Sequence, residues 1–172
     1  DTVCSKHGLQ YFAIYGTLLG VVRNQGYIPW DDDIDIAMPR KDYEEFLDIV
    51  QKVKDIDSSV FLQNMHTDKD IFFGGYSKLR DSNSTGILKM DYGHGCNHGV
   101  WIDIFPLDNH ISDSKKWNRQ YRQIRHIQKL MYYKVYKHDK QCKGVAQLTF
   151  FEKLVAGVCK WNTLCVKLDK VL

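Results

Sequence analysis

YFAIYGTLLGVVRNQGYIPWDDDIDIAMPRKDYEEF, residues 11–46, reads as strand, helix, strand and helix in succession. Tyr11 to Tyr15 holds only aromatic, β-branched or small residues and stops at Gly16, a natural turn position. Leu18, Leu19, Val21 and Val22 then supply the apolar face of a short helix, with Thr17 placed to cap its amino end and Gly26 to end it after Arg23. Pro29 and Pro39 close off the next excursion, and IDIAM between them alternates as a strand does. From Arg40 to Val53 the residues Tyr43, Phe46, Leu47, Ile49, Val50 and Val53 recur at helical spacing, with Glu44, Glu45 and Asp48 on the other side.

Upstream, the first residues finish a helix before Gly8. Downstream, VFLQN, FFGGYSKLR, TGILKM and GVWIDIFPLD lie between Val60 and Asp108, rich in β-branched and aromatic residues and parted by Gly, Asn, Ser and Asp. These predict several strands. After Asp113 the helical period returns through Trp117, Tyr121, Ile124, Ile127, Leu130, Met131 and Tyr132. It returns again from Val145 through Leu148, Phe151, Leu154, Val155 and Val158 to Leu168, with Lys137 to Gly144 as the linker. The fold class is α+β, a sheet in the first two thirds and helices behind or after it. The expected division is a core over residues 1–110 and a helical segment over 111–172 packed on it.

At 172 residues one domain is the default, and 44% hydrophobic against 26% charged residues excludes a disordered tail. A net charge of +3 calls for no nucleic-acid partner. The exception to the even mixing of charge is Lys115 to Lys143, a basic, tyrosine-interleaved helix. It reads as a solvated face, or as a peripheral contact with the inner face of a membrane. No apolar run reaches the roughly 20 residues of a membrane span, and the start lacks a signal-peptide layout, so the expected location is cytoplasmic. Five cysteines without CxxC pairing suggest free thiols, with Cys159 and Cys165 in the core. Asp1 and Leu172 both fall within helical patterns, which suggests a piece of a longer protein.

The acidic run Asp31-Asp32-Asp33-Ile34-Asp35-Ile36 carries the chemistry. On a strand Asp33 and Asp35 share one face, with Ile34 and Ile36 on the other. Two carboxylates so placed repel each other, and a cation resolves the repulsion. Oxygen-only ligands favour Mg²⁺ or Mn²⁺, which usually also binds substrate phosphate. The plain alternative is that the aspartates cap the helix beginning near Arg40 or decorate a loop. Downstream, Gly99-Val100-Trp101-Ile102-Asp103-Ile104-Phe105 sets a lone carboxylate in an apolar strand, where it needs a partner such as Arg23, Arg80, a backbone amide or a shared ion. Gly16 and Thr17, between a strand and a helix, offer N–H groups and a hydroxyl to phosphate.

A glycine and hydroxyl residue after a strand, a two-carboxylate strand and a third carboxylate on a later strand resemble the nucleotidyltransferase superfamily. GTLLGVVRNQGYIPWDDDIDIAMPRKDYEEF resembles the LicD family more closely. The likeness resumes at Lys78-Leu79-Arg80-Asp81-Ser82 and at Gly99 to Asp108, and so covers most of residues 11–108. It implies a nucleotidyltransferase-like mixed sheet with flanking helices and a C-terminal helical segment. It also implies a phosphotransferase, akin to fukutin-like relatives, that moves a phosphorylated small alcohol from a CDP-alcohol donor such as CDP-choline to a cell-surface glycan (teichoic acid or lipopolysaccharide). By that likeness Asp33, Asp35 and Asp103 are catalytic and metal-binding, with Asp103 either a ligand or the base. Gly16, Thr17, Arg23 and Arg80 would bind donor phosphate. Family members usually carry a further segment containing tyrosine, glycine and aspartate, which these residues lack.

Other readings stand beside this one. The chain could move NMP from an NTP to a small molecule or protein, or bind nucleotide without turnover. Arg23 and Arg80 could be structural salt-bridge partners. Trp30 and Trp101 could cage a quaternary ammonium or simply be core, and His94, Cys96 and His98 could form part of a zinc site.

Overall fold

The computed structural model describes residues 1–52, 58–70, 74–89, 91–138 and 148–172. Val53, the Phe72-Phe73 pair, Met90, Cys142, Val145 and most of the Lys137–Gly144 linker lie outside the described residues. In chain order the elements are α1 (Thr2–His7), β1 (Phe12–Ala13), α2 (Tyr15–Asn24), β2 (Asp35–Pro39), α3 (Arg40–Lys52), β3 (Val60–Gln63), β4 (Ser77–Asp81), β5 (Val100–Leu107), α4 (Ser114–Tyr136), α5 (Phe150–Val158) and α6 (Trp161–Asp169). The class is α+β as expected, with a five-stranded mixed sheet of order β1-β2-β5-β4-β3. Within it β2 and β5 run parallel, while the other neighbouring pairs are antiparallel.

The chain forms two compact units. The first comprises Asp1–Gln63, Tyr76–Ile87 and Asn97–Asp108, and so contains the whole sheet. Its core lies between the sheet and α1 and α3: Cys4, Leu9, Met38, Tyr43, Phe46 and Ile104 are buried together, with Ile36 and Leu79 packed against them. Alternation explains the two sheet faces. On β5, Ile102 and Ile104 turn to α1 and α3, which sends Trp101, Asp103 and Phe105 to the opposite face.

The second unit comprises Asn64–Gly75, Leu88–Cys96 and Asn109–Leu172. Ile127, Leu130 and Met131 of α4 pack with Ala156 of α5 and with Leu164, Cys165 and Leu168 of α6. Asp113 caps α4 by accepting from the N–H groups of Lys115 and Lys116, and Thr149 and Glu152 form a reciprocal capping box on α5. Among the described residues no helix is long and apolar enough to cross a membrane.

Several expectations are corrected. The first strand spans only Phe12–Ala13, because Tyr15 takes a left-handed φ of 49° and already opens α2. Gly16 and Thr17 therefore lie inside the helix rather than at a turn and a cap, and Gln25, not Gly26, is the left-handed C-cap. Leu18, Leu19, Val21 and Val22 are exposed. The helix packs instead through Gly20, where a Cβ would stand 2.6 Å from the Gly26 carbonyl oxygen. TGILKM forms no strand in its described part: Gly86 donates to the His98 carbonyl at 2.7 Å, one contact rather than a ladder. The last helix is two, broken at Cys159 and Lys160, which turns Trp161 inward to donate to the Met65 carbonyl at 2.7 Å.

Candidate metal centre

Sheet register builds the site. Asp35 on β2 lies directly opposite Asp103 on β5, and Asp103 directly opposite Lys78 on β4. Three neighbouring strands thus carry Asp35, Asp103 and Lys78 in one row on one face. Asp33 enters from the extended segment before β2, held where the Asp103 N–H donates to the Ile34 carbonyl at 2.8 Å. One carboxylate oxygen from each of Asp33, Asp35 and Asp103 lies within 4.8 Å of the others. Asp31, Asp32 and Asp33 make a second such group, and among the described residues no other set of three or more His, Cys, Asp or Glu converges in this way. His94, Cys96 and His98 are not brought together as a metal site.

Backbone ties fix this arrangement. The Asp35 N–H donates to Thr17 Oγ1 at 2.9 Å, and its carbonyl accepts from the Ile14 N–H at 3.1 Å. A Cβ on Gly16 would collide with the Asp31 carboxylate. The two residues expected to cradle phosphate thus pack α2 against the acidic segment.

Asp35 and Asp103 are buried, at 9% and 7% exposure. Burial, then the neighbouring Asp33, Asp103 and Asp31 carboxylates, push Asp35 up to about 6, against a smaller opposing pull from Lys78. Asp33 is raised for the same reasons, burial first and then Asp31, Asp32 and Asp103. Lys78 is equally buried, with Nζ 2.9 Å from Asp103 Oδ1 and 4.3 Å from the centre of the Trp101 ring. Hard oxygen ligands that repel one another and are partly stripped of water fit Mg²⁺ or Mn²⁺.

The arginines are placed differently. Arg23 is exposed at the far end of α2 and bonds Asn24 Oδ1 at 2.8 Å. Arg80 is fully buried, donating to Gln63 Oε1 and, at 2.6 Å, to the Gly99 carbonyl, and lies over Trp101 at 4.7 Å. Trp30 is exposed, while the Trp101 ring already carries Lys78 and Arg80. Lys78 is the residue that sequence reasoning missed. In the sequence it stands out only as part of the segment Lys78 to Ser82, and in Ser77-Lys78-Leu79-Arg80-Asp81 its alternation with Leu79 reads as a solvent face.

Residues 8–143 match the family model described as LicD/FKTN/FKRP, nucleotidyltransferase domain. The chain belongs to the LicD family. Over 117 residues, 66% of this chain, it is 31% identical to the lipopolysaccharide cholinephosphotransferase LicD of Haemophilus influenzae, and it spans 40% of that protein's length. It is also 42% identical over 52 residues to the uncharacterized protein RT0683 of Rickettsia typhi, and 50% identical over 38 residues to RP689 of Rickettsia prowazekii. These stretches cover 30% and 22% of this chain, and 17% and 14% of the two proteins.

Proposed function

We propose that this LicD-family chain is the catalytic core of a metal-dependent phosphotransferase, which moves a phosphorylated small alcohol resembling phosphorylcholine from a CDP-alcohol to a cell-surface glycan and releases CMP. The observation that supports it most is the convergence within 4.8 Å of Asp33 with Asp35 and Asp103, the last two facing each other across β2 and β5. The named activity of the Haemophilus relative points the same way.

Asp33 and Asp35 would hold Mg²⁺ or Mn²⁺, and when bound such an ion offsets charge on the attacking and leaving oxygens of an in-line phosphoryl displacement. Asp103, with one oxygen against Lys78, would either complete the ligand set or accept the proton of the acceptor hydroxyl. The Lys78 ammonium supplies a fixed positive charge beside the diphosphate position. Thr17 and Gly16 keep α2 against the acidic segment, so the carboxylates meet the donor in a set geometry.

Incubating the chain with Mg²⁺, a glycan acceptor and CDP-choline, CDP-ribitol or each NTP tests this reading. Release of CMP with transfer of the alcohol phosphate is the expected result. Release of pyrophosphate with transfer of NMP would replace it with the nucleotidyltransferase reading. Donor binding without any turnover would leave a nucleotide-binding module.

A further inference from the structure

One row along β5 from Asp103, on the same face, stands Phe105, and two rings meet it. Tyr15 contacts it edge to face, with centroids 5.7 Å apart and planes at 87°. Tyr76 stacks on it at 4.8 Å and 19°. Tyr15 is 68% exposed, yet it is held in place: the flanking Ile14 N–H bonds the Asp35 carbonyl, and Tyr15 itself adopts the left-handed φ of 49° that a residue with a bulky side chain rarely takes. Backbone strain of this kind persists where the surrounding structure enforces it, and it collects at ligand sites. The strain here sets an exposed aromatic ring beside the carboxylate row.

Resting on the donor reading above, we infer that the Tyr15–Phe105 corner is the subsite for the alcohol of the donor, and that it selects a quaternary ammonium group. Charge distinguishes the two ends of the aromatic group. At the Tyr76 end the Lys78 ammonium lies 5.8 Å from the ring centre and repels a second cation. At the Tyr15 end the Asp31 carboxylate packs on the adjoining Gly16, so a cation there meets both a π face and an anion.

Distance separates the alcohol from the nucleobase. Residues two apart on a strand are roughly 7 Å apart, which sets Phe105 one such step from Asp103. Four bonds separate phosphorus from nitrogen in phosphorylcholine, about 5 Å at ordinary bond lengths. A phosphate held at the carboxylates therefore puts the trimethylammonium group at the corner. The base, on the far side of a ribose, extends beyond it.

The test is calorimetric titration of the full chain, in Mg²⁺, with CDP, CDP-choline and the neutral 3,3-dimethylbutyl analogue in which carbon replaces the choline nitrogen. CDP-choline should bind roughly tenfold tighter than the neutral analogue, the size of a partly desolvated cation–π contact. Tyr15→Leu, which keeps an apolar side chain without a π face, should abolish that preference while sparing CDP. Tyr15→Phe should retain it. Equal affinity of the unaltered chain for CDP-choline and its neutral analogue would overturn the assignment with no variant involved. So would a Tyr15→Leu chain that weakens CDP and CDP-choline alike, because the corner would then stack the base. Failure of CDP itself to bind would instead sink the donor reading on which the subsite rests.

Discussion

Replacing Asp35 by Asn removes one negative charge from the most crowded point of the sheet and changes little else, because the ties holding residue 35 run through its backbone. The carboxyl is pushed from 3.8 to about 6. At about 1.36 kcal/mol per pKa unit, ionising it at neutral pH therefore costs the metal-free fold about 3 kcal/mol. Asn removes that cost but buries a polar amide, so the expected net gain is about 1–2 kcal/mol. For a chain of this size that raises Tm by about 2–8 °C, measured in EDTA by scanning calorimetry. Excess Mg²⁺ should reverse the order. A hundredfold excess over Kd stabilises the unaltered chain by about 2.7 kcal/mol, whereas the variant, short of one ligand, should gain little. The two melting curves should thus exchange places between EDTA and Mg²⁺. An Asp35→Asn chain that melts lower in EDTA, or that keeps the full Mg²⁺ shift, would refute both the stored repulsion and the metal assignment.

Three further outcomes follow from the same geometry. Because Asp35 and Asp33 are raised, the metal-free native state binds more protons than the unfolded chain, and the Asp35 contribution is lost as pH climbs from about 4 through about 6. In EDTA the advantage of Asp35→Asn should accordingly be complete above the Asp35 value and shrink as pH falls, giving way below about pH 4, where the unaltered carboxyl is protonated, to the cost of the buried amide alone. Lys78→Met strands the buried Asp103 carboxylate and should destabilise the fold by about 3–5 kcal/mol in urea unfolding. Adding Asp103→Asn should recover most of the loss, and a double-mutant cycle with no coupling would contradict the ion pair. Thr17→Val removes the acceptor of the Asp35 N–H and should cost about 1 kcal/mol while weakening the Mg²⁺-induced Tm shift, which Thr17→Ser should preserve.

The parts of this site legible in the sequence are those that depend on local period. Alternation is a property of the chain itself, so Asp33 and Asp35 could be assigned to one face, and Asp103 recognised as a carboxylate in an apolar strand, before any fold was known. The α3 helix declared itself likewise, since Tyr43 and Phe46 recur at its own spacing and are buried in it. What could not be read was register between distant segments. Nothing local to Ser77–Asp81 says that Lys78 lies opposite Asp103 and is buried there, and a polar residue alternating with Leu79 is ordinarily a solvated one. For the same reason the apolar face of Leu18, Leu19, Val21 and Val22 does not reveal its surroundings: α2 approaches Gly26 and Ile28 through Gly20, and these four residues are exposed.

Register is also what makes the acidic row chemically useful. Carboxylates on flexible loops would relieve their repulsion by moving apart into water, and binding an ion would then require ordering them again. Asp35 and Asp103 cannot separate, because the parallel β2–β5 ladder fixes their backbones opposite each other, and Thr17 and Ile14 hold Asp35 from the α2 side. The repulsion is therefore retained in the folded chain, where it appears as the raised Asp35 and Asp33 carboxyls. It is relieved only by a proton, by the partial compensation from Lys78, or by a cation. On the proposed reading, a site built in this way would bind its ion in direct competition with protons, and a preference for a divalent ion would follow from the rigidity of three paired strands more than from the number of acids in the sequence.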